Sequence, residues 1–179
     1  MGYEYDLIND FAKSQGLKLN IKVAENPARL IEMLEAGEAD VVAYPIPINN
    51  KLKQEVIYCG REDISSQVLI QRANKGDKLL TDVTQLIDKN VYVKPNTKYS
   101  ERLKNLDEEL GGGIHIQKVE NDSIATEDLI EMVSLGEIPY TISDDNTARL
   151  NKTYYWNINV DLKVSFPQRS SWVVRKSSP

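Results

Sequence analysis

Apolar positions recur at helical spacing in two stretches far apart in the chain, and each stretch closes in the same way. In the first, Leu30, Ile31 and Leu34 share one helix face; Gly37-Glu38 then interrupt the pattern, and Asp40-Val41-Val42-Ala43-Tyr44 follow as an apolar run. In the second, Leu129, Ile130 and Val133 share a face, Gly136-Glu137 interrupt, and Tyr140-Thr141-Ile142-Ser143 follow. The echo extends to the tetrapeptide Leu-Ile-Glu-Met at 30–33 and again at 129–132. Each copy predicts an amphipathic helix, a glycine stop and a short strand. The glycines fall where a helix C-terminus calls for positive φ, which glycine adopts without steric cost. A pair of similar α/β halves predicts two lobes with a cleft between them.

The rest of the pattern fills in around these two units. Residues 6–16 read as a first helix, with Leu7, Ile8, Phe11 and Ala12 on one face. Leu17 to Val23 alternates apolar and polar residues and predicts a half-buried strand. Pro27 suits the first turn of the next helix. Val56-Ile57-Tyr58 and Val68-Leu69-Ile70 are further strand candidates. A short helix is expected over Leu79 to Ile87, strands over Asn90 to Lys94 and Ile114 to Val119, and a helix between them that ends near Gly111. Another helix starts between Asn146 and Leu150. Tyr154 to Lys163 and Trp172 to Arg175 read as strands. Strands alternating with helices argue for mainly parallel sheets. The polar stretch Gln71 to Asp77 and the stretch Ser165 to Arg169 are linker candidates. They predict lobe 1 over residues 1–72 and 165–179, and lobe 2 over 73–164. Two crossings make a hinge suited to closing around a ligand.

Composition narrows the chemistry. Of 179 residues, 41% are hydrophobic, enough for a packed core. Lys and Arg number 22 against 27 Asp and Glu, a net charge of −5, which argues against a nucleic-acid partner. No apolar run is long enough to span a membrane. No signal peptide is visible, and Met1-Gly2-Tyr3 opens directly into a helical pattern, as in a piece of a longer chain. Cys59 is the sole cysteine, so no internal disulfide can form. His115 is the sole histidine, which excludes a multi-histidine metal site; it sits in an alternating strand and reads as structural or exposed rather than catalytic. Neither a metal nor a cofactor is expected. Gly111-Gly112-Gly113 lacks the lysine and spacing of a phosphate loop.

Ligands of open α/β sheets sit beyond the carboxyl ends of the strands. In lobe 1 that position falls to Tyr44 and the Asn49-Asn50-Lys51 loop; in lobe 2, to Asn96, Thr97, Asp144 and Asp145. Tyr44 can stack on a ligand or pack in the core. Lys51 can grip a carboxylate as a point charge or stay solvated. Asn96-Thr97 can present helix N–H groups to an anion, or simply cap the helix. Asp144 can receive a ligand ammonium, or it or Asp145 can cap the next helix.

Gly2-Tyr3-Glu4-Tyr5-Asp6-Leu7 followed by Phe11-Ala12 resembles the opening of family 3 bacterial solute-binding proteins, the periplasmic amino-acid receptors. Leu30-Ile31, Leu34, Gly37 and Asp40-Val41-Val42 resemble a second family segment, and Asn90 to Tyr99 is similar to a third. The tail Ser165-Phe166-Pro167 with Trp172 to Pro179 is similar to the receptor-like domain of membrane-bound lytic transglycosylases, where such a stretch precedes the catalytic domain. The resemblance implies a two-lobe periplasmic binding protein-like fold of type II with a double-crossover hinge. The family's first strand would fall before Met1, so it is expected to be missing from lobe 1. It implies a non-catalytic sensor domain whose interlobe cleft takes an amino acid or a muropeptide, with a catalytic domain as partner in cis after Pro179. It also implies a periplasmic or cell-envelope location, with outer-membrane anchoring of the full-length protein. Ligand contacts would be Tyr44, Lys51, Asn96, Thr97 and Asp144. Lys51 stands where the family carries an arginine that grips the ligand carboxylate, Asn96-Thr97 where it carries Gly-Thr, and Asp144 where an acidic residue receives the ammonium. The alternatives are a stand-alone transporter receptor, a cyclohexadienyl dehydratase-like enzyme on the same fold, a regulator's effector domain, and a structural spacer.

Overall fold

The computed structural model describes residues 2–177. Ser178 and Pro179, the last residues of the transglycosylase-like tail, lie outside the described residues, as does Met1. The described chain forms two units. One comprises the residues up to Ile64 together with those from Gln168; the other is Ser65–Pro167.

The first unit begins with α1 (Tyr3–Ser14) and α2 (Pro27–Glu35), followed by β1 (Val41–Pro47), a 3-10 turn over Leu52–Gln54, and β2 (Val56–Ser65). Pro27 enters α2 where its missing N–H is no loss, and Asn26 accepts a hydrogen bond from the Arg29 N–H at 3.0 Å. Gly37, at φ 76°, lets the chain turn from α2 into β1. The last strand of the chain returns to this unit and lies between β1 and β2 in a three-stranded sheet. It runs antiparallel to β1, with Val42 opposite Val173. Leu34, Val42, Ile46, Val56 and Val173 form the core beneath.

The second unit contains β3 (Gln67–Arg72), a 3-10 turn over Val83–Leu86, β4 (Asn90–Val93), α3 (Lys98–Glu109), β5 (His115–Lys118), α4 (Thr126–Leu135), β6 (Tyr140–Asp144), α5 (Asp145–Lys152) and β7 (Ile158–Asn159); β8 (Gln168–Arg175) is the returning strand of the first unit. The sheet order is β5-β4-β6-β3-β7. Residues of β3 alternate between two cores. Leu69 packs with Val91, Leu103, Leu106 and Ile142 on the α3 side. Val68 and Ile70 pack with Leu129, Ile130, Val133 and Ala148 on the side of α4 and α5. Covered on both faces, β3 is buried from Gln67 to Gln71.

Several expectations give way. The sheets are not mainly parallel: β4 is parallel to β5 and β6, but β3 is antiparallel to both its neighbours, and β1 to β8. The segment 17–23 forms no strand, because no described strand lies beside it to complete a ladder; Val23 stays 91% exposed. The helix expected over 79–87 shrinks to the 3-10 turn, and the strand expected over 154–163 to the two residues of β7. β3, placed in lobe 1 by its polar aftermath, runs in the second unit's sheet. No described helix is long and apolar enough to cross a membrane.

Candidate functional site

In the second unit, the end of β6 meets the start of α3. The turn from β4 into α3 requires left-handed backbone at Asn96, at φ 58°, a conformation that asparagine tolerates better than most residues. Thr97 is the helix cap. Its hydroxyl donates to the Lys94 carbonyl at 2.8 Å and accepts from the Ser100 N–H at 3.3 Å. Ser100 answers by accepting from the Thr97 N–H at 3.2 Å. The Thr97 hydroxyl thus spends its only proton on the fold, and what remains for a ligand is acceptor capacity.

Capping fixes the first turn of α3, and that turn delivers two donors to one carboxylate oxygen. Lys98 Nζ lies 2.6 Å from Asp144 Oδ2, and Tyr99 Oη donates to the same oxygen at 3.2 Å. The ammonium also lies 5.4 Å from the centroid of the Tyr99 ring. Asp144 stands at the N-cap position of α5, yet its carboxylate makes no capping bond there. Asp145, the other cap candidate, pairs with Arg149 at 2.9 Å, and its N–H donates to the Ser66 carbonyl. Directly across the ladder from Asp144 is Gln67, only 3% exposed, whose Oε1 meets no hydrogen-bond partner among the described residues. Opposed residues of an antiparallel pair share a face, so Gln67 and Asp144 point the same way. The local chemistry is an ion-paired carboxylate and, opposite it on the ladder, a buried amide oxygen without a partner among the described residues.

In the first unit, Tyr44 lies in β1 and Lys51 just before the 3-10 turn. Lys51 is the N-cap position of that turn, and the Asn49 side chain, two residues earlier, accepts from the Leu52 N–H at 2.9 Å. Tyr58 Oη donates to the Pro47 carbonyl at 2.7 Å and steadies the same loop; burial raises its pKa above the usual tyrosine value. Lys51 is exposed and forms no ion pair among the described residues.

Asn96, Thr97 and Asp144 are therefore neighbours in one unit, while Tyr44 and Lys51 belong to the other. Sequence reasoning missed Lys98, Tyr99 and Gln67. Nothing in the local pattern shows that the first turn of α3 reaches the end of β6. A second feature also went unforeseen: a pocket of about 280 Å³ at the opposite end of β3 and β6, lined by Arg72, Asp77, Lys78, Gly136 and Tyr140. Burial and the charge of Asp77 raise the Tyr140 pKa. His115 is exposed on an edge strand.

Known proteins place this geometry in context. The chain is 32% identical over 180 residues to membrane-bound lytic murein transglycosylase F of Desulfosudis oleivorans, which covers 98% of this chain and 37% of that protein. The protein of the same name from Pseudomonas fluorescens strain Pf0-1 is 27% identical over 175 residues, covering 97% of this chain and 35% of the relative. The chain thus spans about a third of the length of these relatives. Among solved structures, a mutant of ArgBP from T. maritima superposes with a TM-score of 0.76 at 22% identity, over 98% of this chain and 72% of that one. The GluR0 ligand-binding core in complex with L-glutamate gives 0.77 at 17% identity, over 100% and 78%. These likenesses establish a type II periplasmic binding protein-like fold. The family model for bacterial extracellular solute-binding proteins, family 3, matches residues 1–179, and the chain belongs to that family.

Proposed function

We propose that this chain is a non-catalytic sensor domain that binds an amino acid or a peptidoglycan fragment and regulates a lytic transglycosylase domain attached after it. The observation that carries this reading is the pattern of coverage. Nearly the whole chain aligns with about a third of each transglycosylase F relative, while the family it matches is one of solute-binding proteins. Membership of an extracellular family implies a periplasmic or envelope location. Asn96, Thr97 and Asp144 are the proposed ligand contacts of the second unit, with Tyr44 and Lys51 as contacts from the first. A bound ligand regulates an attached enzyme only if it favours one conformation over another, and the size of the effect is set by that difference in affinity.

The test is thermal unfolding of the chain against free amino acids and muropeptides. A ligand at a hundred times its dissociation constant stabilises by about 2.7 kcal/mol. One class of compound raising the midpoint supports the reading, and a flat response across the panel overturns it. Titration of a protein carrying both this chain and a transglycosylase domain, with glycan-strand cleavage as readout, tests the regulatory half.

A further inference from the structure

Asp144 is the natural place for a ligand's ammonium group, but the chain already supplies a cation there. We infer that Lys98 is a specificity-determining residue that occupies this position, so that the second unit selects ligands whose amino group is acylated and uncharged over free amino acids. This rests on the small-ligand reading above and narrows it to Nα-acylated amino acids or peptides.

Three observations converge. Lys98 Nζ lies 2.6 Å from Asp144 Oδ2, so the negative charge is met from within the protein. Tyr99 donates to the same oxygen, and its ring lies beside the Lys98 ammonium, which holds the cation where it is. A ligand ammonium approaching Asp144 then meets like charge at close range instead of an open carboxylate. Finally, Gln67, directly opposite Asp144 and 3% exposed, keeps an amide oxygen with no partner among the described residues. A buried acceptor left unpaired is costly, and a ligand that donates one hydrogen bond without bringing charge relieves that cost. An amide N–H is such a donor. A turn of the Gln67 side chain, whose oxygen has no exposed surface of its own, brings that acceptor to the donor and leaves the Lys98–Asp144 pair intact.

The experiment is calorimetric titration of the chain with matched pairs: L-arginine, L-glutamate and L-alanine, each against its Nα-acetyl derivative. The wild-type chain is expected to bind the acetylated member of at least one pair ten-fold or more tighter than the free amino acid. Lys98→Met keeps the aliphatic stem, removes the charge and opens Asp144; it is expected to shift that ratio at least ten-fold toward the free amino acid. Lys98→Arg restores a cation and is expected to return the preference toward wild type. A wild-type preference for the free amino acid overturns the inference, as does a ratio that Lys98→Met leaves unchanged in a chain with native circular dichroism. Should Lys98→Met fail to fold, the wild-type ratios decide alone. If none of the six compounds binds either protein, both this inference and the amino-acid branch of the small-ligand reading fall; binding with the wrong preference removes this inference only.

Discussion

The side-chain amide of Gln71 forms hydrogen bonds with both backbone groups of Leu80, donating to its carbonyl at 2.9 Å and accepting from its N–H at 2.8 Å. Both residues are buried, so the amide acts as one extra rung of sheet for a segment that has no strand of its own. Gln71→Leu fills similar space but strands two backbone groups away from water. Each costs about 1–3 kcal/mol. Thermal unfolding is expected to shift downward by about 2–4 °C for each kcal/mol lost. An unchanged midpoint would show that water reaches Leu80 and that the contact contributes little.

That contact also explains part of what the sequence did and did not disclose. The paired helix-glycine-strand units were legible because 3.6-residue periodicity and a glycine stop are local signals, and both glycines do take positive φ. Asn96, Thr97 and Asp144 were legible as strand-end and cap residues. Lys98 was not, because its partner lies 46 residues away and only the packing of α3 beside β6 joins them. The polar stretch after β3 looked like a linker between lobes. In the fold, Gln71 is a core residue, and Arg72 ties to Asp77 at 3.0 Å within the same unit. Polarity in a sequence does not distinguish a solvated linker from side chains that satisfy buried backbone. The alternation over 17–23 misled for a related reason: a strand exists only beside another strand.

The two repeat glycines offer a controlled comparison. Gly37 has φ 76° and open space where a Cβ would be, so Gly37→Ala costs only the left-handed backbone, about 1–2 kcal/mol. Gly136 has φ 79°, and an added Cβ would lie 2.6 Å from Arg72 Nη1. Gly136→Ala is expected to cost the same backbone term and, in addition, to displace Arg72 from Asp77. Chemical denaturation of both variants checks the ordering. In an Arg72→Ala background the excess at Gly136 is expected to disappear, and a persisting excess would sink the steric account.

Glu4 and Trp172 sit near opposite ends of the chain, and the indole N–H donates to the Glu4 carboxylate at 2.5 Å. This bond joins α1 to β8. Hydrogen bonds to charged groups contribute about 1.5–3 kcal/mol. Glu4→Ala is expected to lower stability within that range and to raise amide exchange in α1. Trp172→Phe keeps most of the ring packing while removing the donor, and in its presence Glu4→Ala is expected to have little further effect. Additive losses in the double variant would count against a direct bond.

Acid stability follows from two carboxylates. The Arg72 guanidinium, and next the Asn74 N–H, hold Asp77 below its ordinary 3.8. The Thr84 hydroxyl and N–H hold Asp82 below the same value. A carboxyl with a depressed folded pKa stabilises the fold above its unfolded value, and that contribution fades as pH falls through the folded one. Unfolding midpoints are therefore expected to drop as pH falls below 3.8 and to be insensitive to these groups near neutrality. Asp82→Asn keeps an oxygen to cap the 3-10 turn, so it is expected to change little at pH 7 while flattening the acid slope. A slope unchanged in both Asp82→Asn and Asp77→Asn would assign acid sensitivity to other groups.

Cys59 gives a final prediction, about dynamics. The thiol lies half-buried in β2, and burial raises its pKa above the ordinary 9.0. Its carbonyl accepts the Ser171 hydroxyl of β8 at 2.6 Å, a side-chain bond added to the β2–β8 ladder. Only the thiolate attacks a disulfide reagent, so a raised pKa and limited access both slow the reaction. At pH 8 the folded chain is expected to react with an aromatic disulfide reagent more slowly than a free thiol. The rate is expected to rise toward the free-thiol value in denaturant. Ser171→Ala removes this side-chain bond and leaves the β2–β8 backbone ladder in place, so faster labelling at an unchanged global midpoint would report local opening of the sheet. Labelling of the wild-type chain at the free-thiol rate would contradict the burial of Cys59 directly.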